Sequence, residues 1–254
     1  MKVDMGMWPV RVATGVLISA LGGAAAAQET EGWDFSVSPY LWTPGASSSV
    51  ETRFGTLDTD AGIDDVISAT DFAFMGAFEA RNDRWSFIAD LVYSDLTEEN
   101  DTPFGLLFSE ARVETDLTMV TGYAGYRFYR DDRVALDVLG GARTVQLDFD
   151  VAFEPGTLSG RSFGVSETWI DPVVGGRARF EVTDRWFASA LGDVGGFGLG
   201  SDLSWQMLAT VGYQFNDRWS VQGGWRQIGI ETEIGGRDVD LDLGGPVLGV
   251  TFRF

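Results

Sequence analysis

Leu203-Ser204-Trp205-Gln206-Met207-Leu208-Ala209-Thr210-Val211-Gly212-Tyr213-Gln214-Phe215 alternates almost residue by residue between apolar and polar or small side chains. Leu208 alone breaks the pattern. A period of two puts one set of side chains on each face of a β-strand, so this segment is a strand with one fatty face. Asn216-Asp217-Arg218-Trp219 follows directly, and its Asn and Asp suit a tight hairpin. The same x-Asp-Arg turn recurs at Asn82-Asp83-Arg84-Trp85, Asp131-Asp132-Arg133-Val134 and Thr183-Asp184-Arg185-Trp186. In three of the four a Trp follows at once, where an interfacial aromatic girdle would sit.

Working outward, segments 85–93 and 170–182 alternate in the same way, and ten strands emerge. They run over about 33–43, 70–81, 85–96, 112–128, 134–150, 168–182, 185–195, 202–215, 218–231 and 239–254. The connections opposite the short turns are longer and polar, at 95–110, 151–167, 196–202 and 232–238. A soluble sandwich also alternates, but it gives no reason for one edge to carry four copies of one turn. The reading is all-β: a transmembrane antiparallel up-and-down β-barrel with short periplasmic turns and longer extracellular loops. Residues 50–54 and 57–61 alternate around Gly55 and add one further hairpin, so the count is ten or twelve. Gly62–Ile67 reads as a short helix capping or plugging the pore. Phase slips at Thr144-Val145 and Gly244-Gly245-Pro246 read as bulges, and Gly140-Gly141 and Gly223-Gly224 as bends or crowded lumen positions.

The N-terminus sets the compartment. Lys2 and Arg11 flank a basic start, an apolar run spans Val12–Leu21, and small residues lead to Ala25 and Ala27. Ten or so apolar residues fall short of the ~20 needed to span a bilayer as a helix. The pattern is that of a signal peptide over residues 1–27, cleaved before Gln28, leaving residues 28–254 as one barrel domain. The absence of Cys excludes lipid attachment there, and also disulfides and cysteine-based zinc sites.

Beyond residue 27 the chain holds 16 arginines, no lysine and 37 acidic residues. That excess of negative charge argues against nucleic acid as a partner. There is no histidine anywhere. Barrel hydrolases that rely on a histidine base are therefore excluded, and no carboxylate pair stands out for glycoside chemistry. No catalytic residue, cofactor or metal site is assigned.

Alternation assigns Glu79, Arg81, Asp90, Arg112, Glu114, Asp116, Asp137, Arg143, Asp171, Arg177, Arg179 and Arg226 to the lumen. Two readings of that interior stand side by side. Rings of Arg and carboxylate line a pore that passes small solutes, or the charges pair and fill a narrow barrel. A conduit for apolar cargo would need apolar side chains in the upper lumen, where the alternation puts mostly charge. Acidic residues gather at the outer end, at 95–101, 148–154 and 231–242. They suit Ca²⁺ or Mg²⁺ bridging to lipopolysaccharide, but read more plainly as solvated loop ends.

At the C-terminus Leu248, Val250, Phe252 and Phe254 alternate to a terminal aromatic. This resembles the assembly signal that the barrel insertion machinery reads. With the opening Trp33-Asp34-Phe35-Ser36-Val37-Ser38-Pro39-Tyr40-Leu41-Trp42, the strand Phe72-Ala73-Phe74-Met75 and the repeated turn, the chain resembles porin-like outer-membrane barrels of Proteobacteria, in the porin-like or opacity-type superfamily. The resemblance covers the whole mature chain. It implies fold and outer-membrane location, with lipids, lipopolysaccharide and the assembly machinery as partners and small solutes as possible cargo. The family carries no agreed activity, so it leaves a porin-like channel and a surface-interaction barrel both open.

Overall fold

The computed structural model describes residues 32–52, 55–101, 108–155, 161–234 and 236–254. The expected signal segment 1–27 lies outside the described residues. Twelve strands and one short helix form in chain order. They are β1 (Asp34–Trp42), β2 (Gly45–Thr52), β3 (Gly55–Ala61), α1 (Ile63–Ala69), β4 (Thr70–Asn82), β5 (Trp85–Asp101) and β6 (Phe108–Arg130). Then follow β7 (Val134–Pro155), β8 (Arg161–Glu181), β9 (Trp186–Gly196), β10 (Leu203–Gln214), β11 (Trp219–Ile234) and β12 (Arg237–Arg253). Among the described residues no helix is long and apolar enough to cross a membrane.

Ten strands close a ring: β1, β4 through β12, and back through antiparallel β1–β12 pairing from Ser36↔Arg253 to Trp42↔Val247. Closure removes the sheet edges that lipid cannot hydrogen-bond. The ten-or-twelve ambiguity thus resolves into both numbers. Beyond Thr43-Pro44 the chain of β1 carries on as β2, which pairs with the upper part of β12 from Gly45↔Gly244 to Val50↔Val239. Strand β3 folds back on β2 and completes the extra hairpin outside the ring. The helix forms where expected: the Asp65 carboxylate accepts the Gly62 N–H at 2.9 Å, and Asp64 and Asp65 face the positive end of the helix dipole. It packs against β2 and β5 with no buried residue, so it does not plug the lumen.

The repeated turn has a local cause. In each of three copies the first side chain accepts backbone N–H groups two and three residues on: Asp131 from Arg133 and Val134, Thr183 from Arg185 and Trp186, Asn216 from Arg218 and Trp219. In the fourth, Asp83 adopts φ 47°, the left-handed region Asp tolerates. The Tyr129 hydroxyl also donates to Asp131, and together these bonds hold that carboxyl below its ordinary range. Aromatic contacts follow these turns around the rim, with ring centroids 5.1 Å apart for Trp85–Tyr126 and Trp186–Tyr213 and 4.7 Å for Trp219–Phe252.

The taller ring strands change their habits partway up. In the lower half Phe74, Phe78, Phe87, Val138, Val174, Val211 and Leu248 face outward and are exposed, as lipid-facing side chains should be. Higher up the outward positions turn acidic, with Asp95, Asp116 and Asp148 side by side across β5, β6 and β7. The inward positions there turn apolar, with Met119, Val145 and Leu243 buried. The presumed bulges at Thr144-Val145 and Gly244-Gly245-Pro246 are this exchange. Pairing runs unbroken through Val120↔Thr144, Met119↔Val145 and Arg226↔Gly245. The register shifts lie instead at Thr70/Phe72, Phe108/Ala111 and Arg127/Tyr129.

The wall is uneven in height. A tilted strand crosses a bilayer in about 9–11 residues. Strand β9 has 11, whereas β6, β7 and β8 have 23, 22 and 21. Much of 95–110 and 151–167, expected as loop, is therefore strand standing above the lipid, where polar outward faces mimic loop composition. Close packing demands glycine at a few inward positions. A Cβ on Gly224 would collide with the Ala209 carbonyl oxygen, whereas a Cβ on outward-facing Gly140 meets nothing within 4 Å. Gly224→Ala is expected to cost about 1–3 kcal/mol by overpacking, lowering the incubation temperature at which the compact band vanishes on gel electrophoresis. Gly140→Ala should leave that temperature unchanged.

Candidate functional site

Nine of the twelve residues assigned to the lumen point into it, and eight of them fall into two layers. Nearest the periplasm, three cations share two carboxylates. Asp137 binds Arg127 at 2.8 Å, Arg177 at 2.8 Å and Arg81 at 3.2 Å. Glu79 binds Arg81 at 2.6 Å and takes two parallel bonds from Arg177, both at 2.9 Å. Planar guanidinium matches planar carboxylate in that fork, which accounts for arginine in place of lysine. Arg179 lies 3.7 Å over the Phe187 ring and reaches Glu181 at 2.6 Å.

The second layer crosses the barrel at mid-height. Arg226 donates to Asp90 at 2.7 Å, to the Tyr40 hydroxyl at 2.6 Å and to Gln206 Oε1 at 2.6 Å. The Tyr40 hydroxyl donates to Asp90 at 2.8 Å. The Gln206 amide continues to Asp193 at 3.3 Å, which also accepts the Tyr123 hydroxyl at 2.6 Å and Arg143 at 2.7 Å. Seven side chains from seven strands thus form one hydrogen-bonded septum. Arg143 is 0 % exposed and Arg226 3 %.

Directly above sits an apolar layer of Trp42, Met75, Val92, Met119, Val145, Ile228, Ile230 and Leu243, all buried. Arg226 joins the layers, its guanidinium 5.0 Å from the Trp42 ring centroid. The upper lumen is therefore apolar, not charged as expected. Below the septum a cavity of about 900 Å³ is bounded by the charged lower wall and by the turn Arg130–Arg133. Tyr40, Asp90, Tyr123, Gln206 and Arg226 close its inner end.

Three assignments are corrected. Arg112, Glu114 and Asp116 share a face with outward-facing Val120, because β6 pairs without a shift from Ala111 to Arg127. They are half-buried on the outer face, so polarity there no longer marks the interior. Asp171 points inward but fastens a turn. It is fully buried and accepts the Ser201 N–H at 2.7 Å and hydroxyl at 2.8 Å. The turn it holds carries three consecutive positive φ angles, at Gly196, Phe197 and Gly198.

The alternation also contained what the reading missed. Arg127 has the parity of Tyr123 on β6, and Asp193 that of Ser189 on β9, while Gln206 sits on the polar face of the very segment that revealed the fold. Tyr40 and Tyr123 were assigned to neither face, although their hydroxyls join the septum. The terminal residues Leu248, Val250, Phe252 and Phe254 all face outward, and the Phe254 N–H bonds to the Phe35 carbonyl at 3.1 Å. Among the described residues no three potential metal ligands gather into a site.

No protein-family model and no curated protein matches the sequence. Solved structures do match. The outer membrane protease OmpT from Escherichia coli aligns with a TM-score of 0.54 at 11 % identity, covering 88 % of this chain and 97 % of that one. The translocator domain of the autotransporter NalP from Neisseria meningitidis aligns with a TM-score of 0.42 at 14 % identity, covering 90 % of each chain. Ail of Yersinia pestis aligns with a TM-score of 0.37 at 14 % identity, covering 88 % of this chain and 99 % of that one. At such identities the likeness is one of fold, that of the bacterial outer-membrane β-barrel.

The septum makes a sharp stability prediction. Asp193→Asn leaves Arg143 buried without its carboxylate, a change worth about 3–5 kcal/mol. It should lower the urea midpoint of the refolded barrel markedly. Glu181→Gln removes an exposed pair and should stay within about 1 kcal/mol.

Proposed function

We propose that this chain is an exported barrel of the bacterial outer membrane whose lumen is closed to solutes and which acts through its extracellular end. The observation that carries the reading is the double septum: Arg143, Val145 and Ile228, in adjoining polar and apolar layers, are each 0 % exposed. A polar solute would have to break seven coupled hydrogen-bonding side chains and then cross an apolar layer offering it no partner. A non-enzymatic role fits a chain without histidine. Lipids and lipopolysaccharide are its surroundings, and the outward-facing strand ending at Phe254 is the signal for the insertion machinery.

The porin-like reading keeps one supporting observation, the 900 Å³ cavity with its charged wall on the periplasmic side. Conduction through it would require the septum to part. Recordings of the purified protein in planar bilayers decide between the two. The closed barrel gives no conductance steps at any voltage, and reproducible steps that persist across preparations would overturn it.

A further inference from the structure

Strand β8 stands tall beside a short neighbour. Its pairing with β9 covers only Val173↔Gly195 to Glu181↔Phe187, because β9 ends at Gly196. The turn held by Asp171 closes in just above, with Gly200 against the Ile170 carbonyl. From Arg161 to Trp169, β8 is bonded to β7 on one side and, among the described residues, to no strand on the other. A row of backbone N–H and C=O groups about 30 Å long, at ~3.3 Å per residue, thus has no strand beside it among the described residues.

Protected edges carry charged side chains, Pro or a bulge. Arg161-Ser162-Phe163-Gly164-Val165-Ser166-Glu167-Thr168-Trp169 has no Pro and pairs with β7 without a register shift, and its two charges, Arg161 and Glu167, leave Ser162–Ser166 between them uncharged. Its two faces differ. On the inner face Phe163 is 61 % and Val165 47 % exposed, next to exposed Phe149 of β7. On the outer face the Asp150 side chain lies across Gly164, where any Cβ would strike its carboxylate. Glycine at this position leaves room for that charge to lie over β8. Asp148 follows one pair below, beside Ser166.

We propose that the upper edge of β8 is a docking site for an extended polypeptide strand. The incoming strand adds antiparallel to Arg161–Trp169, with basic side chains on its outer face and apolar side chains on its inner face. Backbone pairing supplies affinity and the two faces supply selectivity. The inference rests on the reading that the extracellular end does the work, and it names the class of partner.

The test uses the whole barrel in lipid nanodiscs and a fluorescent ten-residue peptide of alternating lysine and valine, read by anisotropy. In a strand the N–H groups of the lysines point to one edge and those of the valines to the other. Two analogues, N-methylated on all lysines or on all valines, keep every charge and side chain but lose one edge each. Saturable binding is expected, weakened several-fold in Asp150→Asn and at least tenfold for one of the two analogues only. Equal binding of all three peptides means charge attraction alone, and no binding of the parent peptide means no docking edge; either overturns the proposal. A stable dimer by light scattering that the peptide does not disperse would assign the edge to a second copy and also overturn it. Each of these failures leaves the closed lumen standing, because the bilayer recordings test that separately.

Discussion

A strand that leaves the lipid must exchange its faces, and most of this molecule is organised by that exchange. Within the bilayer the outer face meets hydrocarbon, so polar side chains turn inward and must satisfy one another. Above it the outer face meets water, and the same alternation carries acids outward and hydrocarbon inward. Met119 and Asp116 sit three residues apart on β6, yet one belongs to a core and the other to a surface facing water. The hydrophobic effect is obeyed on both sides of the boundary. Only the solvent has changed.

The closed lumen follows from that boundary. Inward-facing arginines below the exchange level cannot remain unpaired in a narrow interior, so three share Glu79 and Asp137, and Arg226 and Arg143 share the chain from Asp90 to Asp193. Buried ion pairs rarely add much net stability over apolar packing. Their distribution over seven strands makes the septum a device for register, because a slip of any one strand would bury an uncompensated charge.

The strand periodicity, the repeated turn and the aromatic rim were legible because each is local. A period of two, an Asn or Asp accepting nearby N–H groups, and a Trp beside it need no knowledge of the rest of the chain. What misled was the assumption that one face keeps one solvent along its length. It sent Arg112, Glu114 and Asp116 to the lumen and made bulges of Thr144-Val145 and Gly244-Gly245-Pro246. Asp171 failed differently. Its parity was right, but nothing local announces that a buried carboxylate will spend both oxygens on Ser201, thirty residues away. Tyr40 and Tyr123 show the same limit, since nothing local announces a partner for their hydroxyls.

The short β9 wall and the tall β8 wall belong to one design. A buried carboxylate locks the turn after β9 into three consecutive positive φ angles. The two glycines adopt such angles freely, but at Phe197 the conformation persists only where the surroundings enforce it. A β9 longer by about the nine residues of Arg161–Trp169 would have covered the β8 edge and satisfied its backbone. Instead the chain ends β9 at Gly196, pins the turn down and leaves the ladder of β8 running on without a neighbour among the described residues. The septum below has no part in that arrangement, but it supplies the stiff ring from which an unsupported sheet can rise. An open edge continuous with a paired sheet holds its hydrogen-bonding groups in register before any partner arrives, so the ordering cost of docking falls mainly on the incoming strand.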